Sequence, residues 1–218
     1  MLFNSLDPAT LISRLLILVI AFTIHEFAHA WTATAFGDMT PQLNGRLTLN
    51  PLVHLDPIGS LLLLLVGFGW AKPVPINPYA LQRRSSAAVM WVSLAGPLSN
   101  LGMAILGAIP FRLGLVSLSS AYYGGNTIFP TLGQFLLEFI LINLLLMLFN
   151  LIPLAPLDGE KVADYFLPPS MSRALDQIRP YGPIILLAIL FVGPMIHLDI
   201  LGWMINGPMA SLLRLLVG

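Results

Sequence analysis

The stretch TIHEFAHA at residues 23–30 interrupts a long apolar run and decides how the rest of the chain is organised. It contains the pattern H-E-x-x-H. On a helix, residues four apart lie on the same face, so the imidazoles of His25 and His29 can converge on one metal ion beside Glu26. Zinc held by two histidines and one further protein ligand leaves a position for water, whose proton an adjacent carboxylate can accept. The pattern therefore indicates hydrolysis of peptide or amide bonds.

A polar cluster that only packs helices together is the alternative explanation of the same residues. Ionisable side chains are costly at membrane depth and are tolerated there when they pair, face a cavity or bind a ligand. Three such groups within five residues, at metal-ligand spacing, favour zinc over packing. Since the chain contains no cysteine, any metal must be held by histidine and carboxylate ligands.

The composition places the chain in a membrane. Hydrophobic residues make up 57% of it and charged residues only 9%, against roughly 25% charged in an ordinary globular domain. Apolar runs predict an all-α multi-pass membrane protein with about five transmembrane helices, at residues 10–36, 87–111, 131–152, 180–196 and 200–216. The last two form a closing hairpin. This pattern divides the chain into a membrane-embedded core at residues 1–166 and a C-terminal part at residues 167–218, which comprises the end of a cytoplasmic loop and the transmembrane hairpin.

The sequence argues against a cleavable signal peptide and against a nucleic-acid partner. The first apolar run is too long for a cleavable signal peptide and lacks a small-residue cleavage site. The formal net charge is zero, and no basic stretch is interleaved with aromatic residues, so we expect no nucleic-acid partner.

A small extended or re-entrant element is predicted between the first two spanning helices. Residues 42–49 alternate well enough to indicate a short strand. Residues 60–68 are apolar but too short to span, which favours a re-entrant or interfacial element. Prolines within residues 70–78 enforce an extended backbone. That segment is either a guide for an extended substrate chain or a plain loop.

The location of the motif within its helix sets the depth of the site. With a rise of about 1.5 Å per residue, His29 lies about 12 Å and His25 about 18 Å from the Gly37 end of the first span. Lysine and arginine concentrate in residues 37–86 and 157–179, which places both loops in the cytoplasm. We therefore predict a cell-membrane protein whose active site lies towards the cytoplasmic side.

The third metal ligand has three candidates, which are Asp158, Asp56 and His54. Asp158 follows two prolines that should break the third span and leave its carboxylate on unwound chain. It could equally serve as the N-cap of a short helix at residues 159–166. His54 and Asp56 lie close in sequence to the first helix, and a capped turn explains them equally well.

Asn100 is a polar side chain about half-way along the second spanning helix. It could donate a hydrogen bond to a developing oxyanion, or it could bond across helices, and packing is the safer role from the residues alone.

Three separated motifs resemble those of the site-2 protease family of intramembrane zinc metalloproteases. They are HEFAH at residues 25–29, AGPLSN at residues 95–100 and NLIPLAPLDG at residues 150–159. The resemblance implies that one zinc ion is bound by His25, His29 and Asp158.

The resemblance also implies roles for other residues and for partners. Glu26 would be the general base, and Asn100 and His54 would act on the scissile carbonyl. Substrates would be membrane-spanning proteins, such as anti-sigma factors or similar regulators, cut within the bilayer. Neither residues 112–130 nor the tail has room for the PDZ or CBS domain of larger members.

A metal or ion transporter with an intramembrane His/Glu/Asp site is the main rival function. Transporters often contain inverted repeats, and no second copy of the first helix is found. A third possibility is an inactive scaffold that keeps the fold, but the presence of Glu26 argues against it. The sequence as a whole predicts an intramembrane endopeptidase.

Overall fold

A computed structural model of the chain describes residues 8–66, 69–122 and 129–218. These residues form thirteen α-helices, which in chain order are α1 (Pro8–Ala35), α2 (Thr40–Leu43), α3 (Pro51–His54), α4 (Pro57–Val66), α5 (Pro78–Arg84), α6 (Ala88–Arg112), α7 (Leu118–Tyr122), α8 (Leu132–Asn150), α9 (Asp158–Phe166), α10 (Pro169–Ile178), α11 (Gly182–Leu187), α12 (Gly193–Met195) and α13 (Ile200–Val217). A 3-10 turn at Arg179–Tyr181 and a π-helical stretch at Ala188–Val192 join α10, α11 and α12 into one run.

Within residues 8–66, 69–122 and 129–218, five helical segments are long and apolar enough to cross a membrane: α1, α6, α8, the run Pro169–Met195 and α13. The prediction of an all-α multi-pass protein is thereby confirmed. Four of the five predicted spans agree with the structure to within two residues at each end. This agreement follows from the bilayer itself, since a spanning segment must satisfy all of its backbone hydrogen bonds internally.

The fourth span begins at Pro169, earlier than the predicted start at residue 180. The charged residues that suggested a loop here are used in ion pairs. Arg179 binds Glu160 of α9 at 2.8 Å through its Nε atom, and it binds Asp176 at 3.0 Å. The apolar residues Met171, Leu175 and Ile178 recur at helical spacing and extend the helix through this region.

The core is formed by α1, α6 and α8, each of which contacts the other two. Small buried residues on α6 allow this close approach. A Cβ atom at Gly107, for example, would lie 2.9 Å from the ring of Phe139 on α8. In their second turns, α1 and α8 are also joined by a bidentate ion pair, in which Arg14 donates to both carboxylate oxygens of Glu138 at 2.9 and 3.0 Å.

The strand predicted at residues 42–49 is wrong. Pro41 lies in the first turn of α2, where its fixed φ favours a helix. The chain then reverses at Gly45, whose φ of +67° suits glycine. Among the described residues there is no β-strand, and the single isolated β-bridge joins Leu55 to Ala71.

The rest of the connection between α1 and α6 follows the predictions more closely. The helix α4 has ten residues and is not among the spanning segments, as expected for residues 60–68; residues 67 and 68 lie outside the described residues. Residues 69–77 contain no helix, and Ala71 forms the bridge with Leu55. The extended segment predicted at residues 70–78 thus ends one residue early, because Pro78 begins α5. Arg46 pins this extended segment by donating to the carbonyl oxygens of Lys72 and Pro73 at 3.1 and 3.0 Å.

Candidate metal centre

Three ligand atoms from two distant parts of the chain converge beside the core. The Nε2 atoms of His25 and His29 are 3.0 Å apart. The Oδ2 atom of Asp158 lies 3.2 Å from the first and 3.3 Å from the second. A tetrahedral zinc ion with bonds of about 2.0–2.1 Å requires ligand atoms about 3.3 Å apart. The triangle therefore has the size of one zinc site.

The other ring nitrogen of each histidine is already hydrogen-bonded. His29 Nδ1 donates to the backbone carbonyl of Val92 at 2.7 Å, and His25 Nδ1 donates to Oδ1 of Asn100 at 2.6 Å. Protons on both Nδ1 atoms leave the two Nε2 lone pairs facing Asp158. Three hydrogen-bond acceptors then meet in a buried space, and a cation between them satisfies all three. The residues present fit zinc.

Gly96 on α6 keeps this space open. A Cβ atom at this position would lie 2.5 Å from Nε2 of His25 and 2.5 Å from Nε2 of His29. Real Cβ contacts are almost never shorter than 3.0 Å. Any larger residue would therefore occupy the side of the imidazoles from which a metal ion is bound.

Asp158 is carried into the site by the turn that follows α8. The N-cap of α9 is Leu157, and no side chain caps this helix. Asp158 is therefore the first residue of α9, and the alternative in which it serves as the N-cap is wrong. Gly159 allows the approach, because a Cβ atom there would lie 2.3 Å from the carbonyl oxygen of Leu151 at the end of α8.

The carboxyl group of Asp158 is ionised in this setting. Burial raises the pKa of this carboxyl group, but the positive charge that His29 carries when protonated, and the hydrogen bonds that both histidines then donate, outweigh burial and hold that pKa below its usual range. A metal cation between unprotonated Nε2 atoms has the same sign and acts in the same direction. A metal ligand must be deprotonated to bind.

The two alternative ligands lie elsewhere. Asp56 accepts a hydrogen bond from the backbone nitrogen of Gly59 at 2.8 Å, so it caps α4. His54 is fully buried, and its Nε2 atom donates to the carbonyl of Thr48 at 2.8 Å. Across the described parts of the chain, His25, His29 and Asp158 are the one group of histidine and carboxylate side chains close enough to share a metal ion.

Glu26 lies beside this triad in the wall of a large cavity. The cavity has a volume of about 950 Å³ and is lined by all three ligand residues and by Glu26. Arg46 is close enough for its charge to interact with Glu26: burial lowers the pKa of the guanidinium, and the Glu26 carboxylate opposes that shift. One wall of the cavity is the extended segment, including Trp70, Pro73 and Val74.

Comparisons with known proteins decide the family. The chain is 41% identical over 213 residues to the "Putative zinc metalloprotease YwhC" of Bacillus subtilis, which covers 95% of this chain and 93% of that protein. The chain belongs to the site-2 protease family. No family model matches it, and no solved structure matches it.

Two mycobacterial proteins support the same assignment. Both bear the name "Putative zinc metalloprotease Rip2". The protein of Mycolicibacterium smegmatis is 33% identical, with 79% of this chain and 64% of that protein covered. The protein of Mycobacterium tuberculosis H37Rv is 30% identical, with 85% and 67% covered. The chain thus spans about two thirds of each Rip2 protein. It is a zinc metalloprotease, and the part of the chain that the structure describes has five helices able to span a membrane.

In this metalloprotease, Asn100 and His54 are both hydrogen-bonded within the protein, and their expected roles at the scissile carbonyl stay predictions. Asn100 is fully buried behind His25, and its Nδ2 atom donates to Asn143 at 2.9 Å. His54 is not among the residues that line the cavity, and its Nδ1 atom finds no hydrogen-bond partner among the described residues. The sequence analysis did not single out Asn143, which is fully buried. An asparagine within the apolar sequence of α8 was the feature that could have indicated it.

Proposed function

We propose that the protease cuts a peptide bond in or near a transmembrane segment of membrane-protein substrates. The depth of the metal centre carries this proposal. His25 and His29 lie ten and six residues before the end of α1 at Ala35, or about 15 Å and 9 Å along the helix axis. A hydrolytic centre at that depth acts on chains that enter the membrane.

The cavity has the shape for an apolar substrate segment. It follows one face of α1, where Arg14, Leu18 and Phe22 lead to His25 and His29. This face is about 22 Å long at 1.5 Å per residue. An extended chain rises about 3.3 Å per residue, so the cavity accommodates roughly six or seven substrate residues.

The side chains of the site have different roles in the proposed hydrolysis. His25, His29 and Asp158 would hold the zinc ion, which would act as a Lewis acid towards the scissile carbonyl and would lower the pKa of a water molecule. Glu26, buried in the cavity wall, accepts the proton from that water and delivers it to the leaving amine. The two histidine ligands are held in position by hydrogen bonds to Asn100 and to the Val92 carbonyl, which do not involve the substrate.

The extended segment is the proposed guide for the substrate chain. Its backbone is fixed on one side, where the Lys72 nitrogen donates to the His54 carbonyl at 2.7 Å. Most residues of this segment also line the cavity, namely Gly69, Trp70, Ala71, Pro73, Val74 and Ile76. An extended peptide can bind such an edge as an added strand. A helical substrate must unwind first, because its own hydrogen bonds shield each peptide bond.

The proposed setting is the cell membrane, with the site towards the cytoplasm. Both loops that lead to the metal centre carry clusters of lysine and arginine, in line with the positive-inside rule. Membrane-spanning regulators such as anti-sigma factors are the proposed class of substrate.

Co-expression with tagged membrane proteins tests the function. The wild type should cleave a substrate, and mass spectrometry should place the cut in or near its transmembrane segment. Glu26→Gln should abolish cleavage and keep zinc, because it removes the base and not a ligand, whereas His25→Ala should lose both. Wild-type cleavage by Glu26→Gln would contradict the mechanism. Zinc flux into proteoliposomes without any cleavage would support the transporter instead.

A further inference from the structure

A chain of buried amide groups connects a metal ligand to a helix that does not carry it. Asn100 of α6 accepts from His25 of α1 at 2.6 Å, and its Nδ2 atom donates to Oδ1 of Asn143 at 2.9 Å. Asn143 of α8 in turn donates through Nδ2 to the carbonyl of Phe139, also at 2.9 Å. Both asparagine side chains are fully buried. Three helices therefore meet in one line of hydrogen bonds that ends at the metal centre.

The direction of this line is fixed at its far end. The Phe139 carbonyl can only accept, so Asn143 must turn its NH₂ group towards it and its oxygen towards Asn100. Asn100 must then present its NH₂ group to Asn143 and its oxygen to His25. The His25 Nδ1 atom must carry the proton, and the Nε2 lone pair is left for the metal.

The second histidine ligand needs no such line. His29 Nδ1 donates directly to the backbone carbonyl of Val92, an acceptor that cannot turn. A side-chain amide can turn and present its NH₂ group instead, which would favour the tautomer with the proton on Nε2. The His25 ligand thus depends on a group that must itself be held.

We propose that Asn143 is a positioning residue of the metal centre, which acts through Asn100 to fix the tautomer and the direction of His25. Groups that orient metal-binding histidines typically contribute about 10–100-fold to metal affinity. Asn143 does not contact His25 itself and orients it through the side chain of Asn100. The inference rests on the zinc site and not on the identity of the substrate.

The test is zinc affinity of the full-length purified protein, measured by competition with a chelator. Asn143→Leu removes the acceptor for Asn100 and should weaken zinc binding about tenfold or more. Asn143→Asp, which burial keeps protonated, can still donate to the Phe139 carbonyl and accept from Asn100, so its zinc affinity should stay within about threefold of the wild type, well short of that loss. Cobalt substitution should show a tetrahedral absorption spectrum in the wild type and Asn143→Asp, and a weakened or altered one in Asn143→Leu.

Asn150→Leu is the matched control. Asn150 is on the same helix and donates to the carbonyl four residues earlier, at 2.9 Å, as Asn143 does, but it has no bond to Asn100. Its replacement should leave zinc affinity unchanged.

Three outcomes would overturn the proposal. One is wild-type zinc affinity in Asn143→Leu, and another is an equal loss in Asn150→Leu. The third is an equal loss in Asn143→Asp and Asn143→Leu, since that pattern means plain helix packing. An absence of substrate cleavage with the expected zinc affinities would contradict the proposed function and leave this inference standing.

Discussion

Gly96→Ala should remove zinc while the protein stays folded. The added Cβ atom would lie 2.5 Å from both imidazole Nε2 atoms, whereas ordinary contacts begin at 3.4 Å. Each nitrogen must therefore move by about 0.9 Å, the difference between these two distances. Zinc sites tolerate deviations of about 0.2 Å in ligand distance. Because both histidine ligands are displaced, we expect zinc affinity to fall more than about 100-fold, beyond the loss of one supporting hydrogen bond.

The helix itself should tolerate the change, since alanine in a helix interior is favoured over glycine by up to about 1 kcal/mol. Gly102→Ala on the same helix is the matched control, because a Cβ atom there has no neighbour within 4 Å. Metal analysis and thermal unfolding of both variants separate zinc loss from unfolding. Normal zinc content in Gly96→Ala would refute the geometry of the site, and zinc loss in Gly102→Ala would show that α6 tolerates no alanine.

Three further predictions concern the ligand, the extended segment and the topology. Asp158→Ala should lower zinc occupancy strongly and Asp56→Ala should not, by metal analysis; the reverse result would place the third ligand on the α4 cap. Val74→Pro should slow cleavage of a membrane substrate at unchanged zinc content, because it removes a backbone donor from the proposed edge; unchanged cleavage would make the segment a plain loop. Cysteines at Ser86 and Ser119, in a chain with none of its own, should be labelled from opposite sides of the membrane, and labelling from one side would contradict an odd number of spans between them.

The spanning helices were predictable because their signal is local. The hydrophobicity of each run by itself indicates that the run lies in lipid, and the thickness of the bilayer sets how long a spanning helix must be. The H-E-x-x-H pattern is local as well: residues 25 and 29 lie on one helix face whatever the rest of the chain does. The fold class, two of the three ligands and the candidate base follow from such short-range rules.

Local rules failed where a tertiary contact had the stronger effect. Residues 42–49 alternate like a strand, but Pro41 favours a helix and the buried Arg46 binds the carbonyl of Val53 at 2.8 Å. The charges of residues 157–179 indicated a loop, but Arg179 at its end donates to Glu160, which lies on another helix. In both cases an arginine binds a group outside its own segment, and the local sequence pattern does not predict that contact.

The third ligand and the surroundings of His25 depend on packing between distant residues. Asp158 is 133 residues from His25, and Asn100 is 75 residues from it. From the residues alone, Asp158, Asp56 and His54 remained open as ligands, and Asn100 remained open between an oxyanion donor and a bond across helices. The packing of α6 and α8 on α1 brings one carboxylate to the imidazoles and turns one amide behind them, because only that packing sets distances between helices.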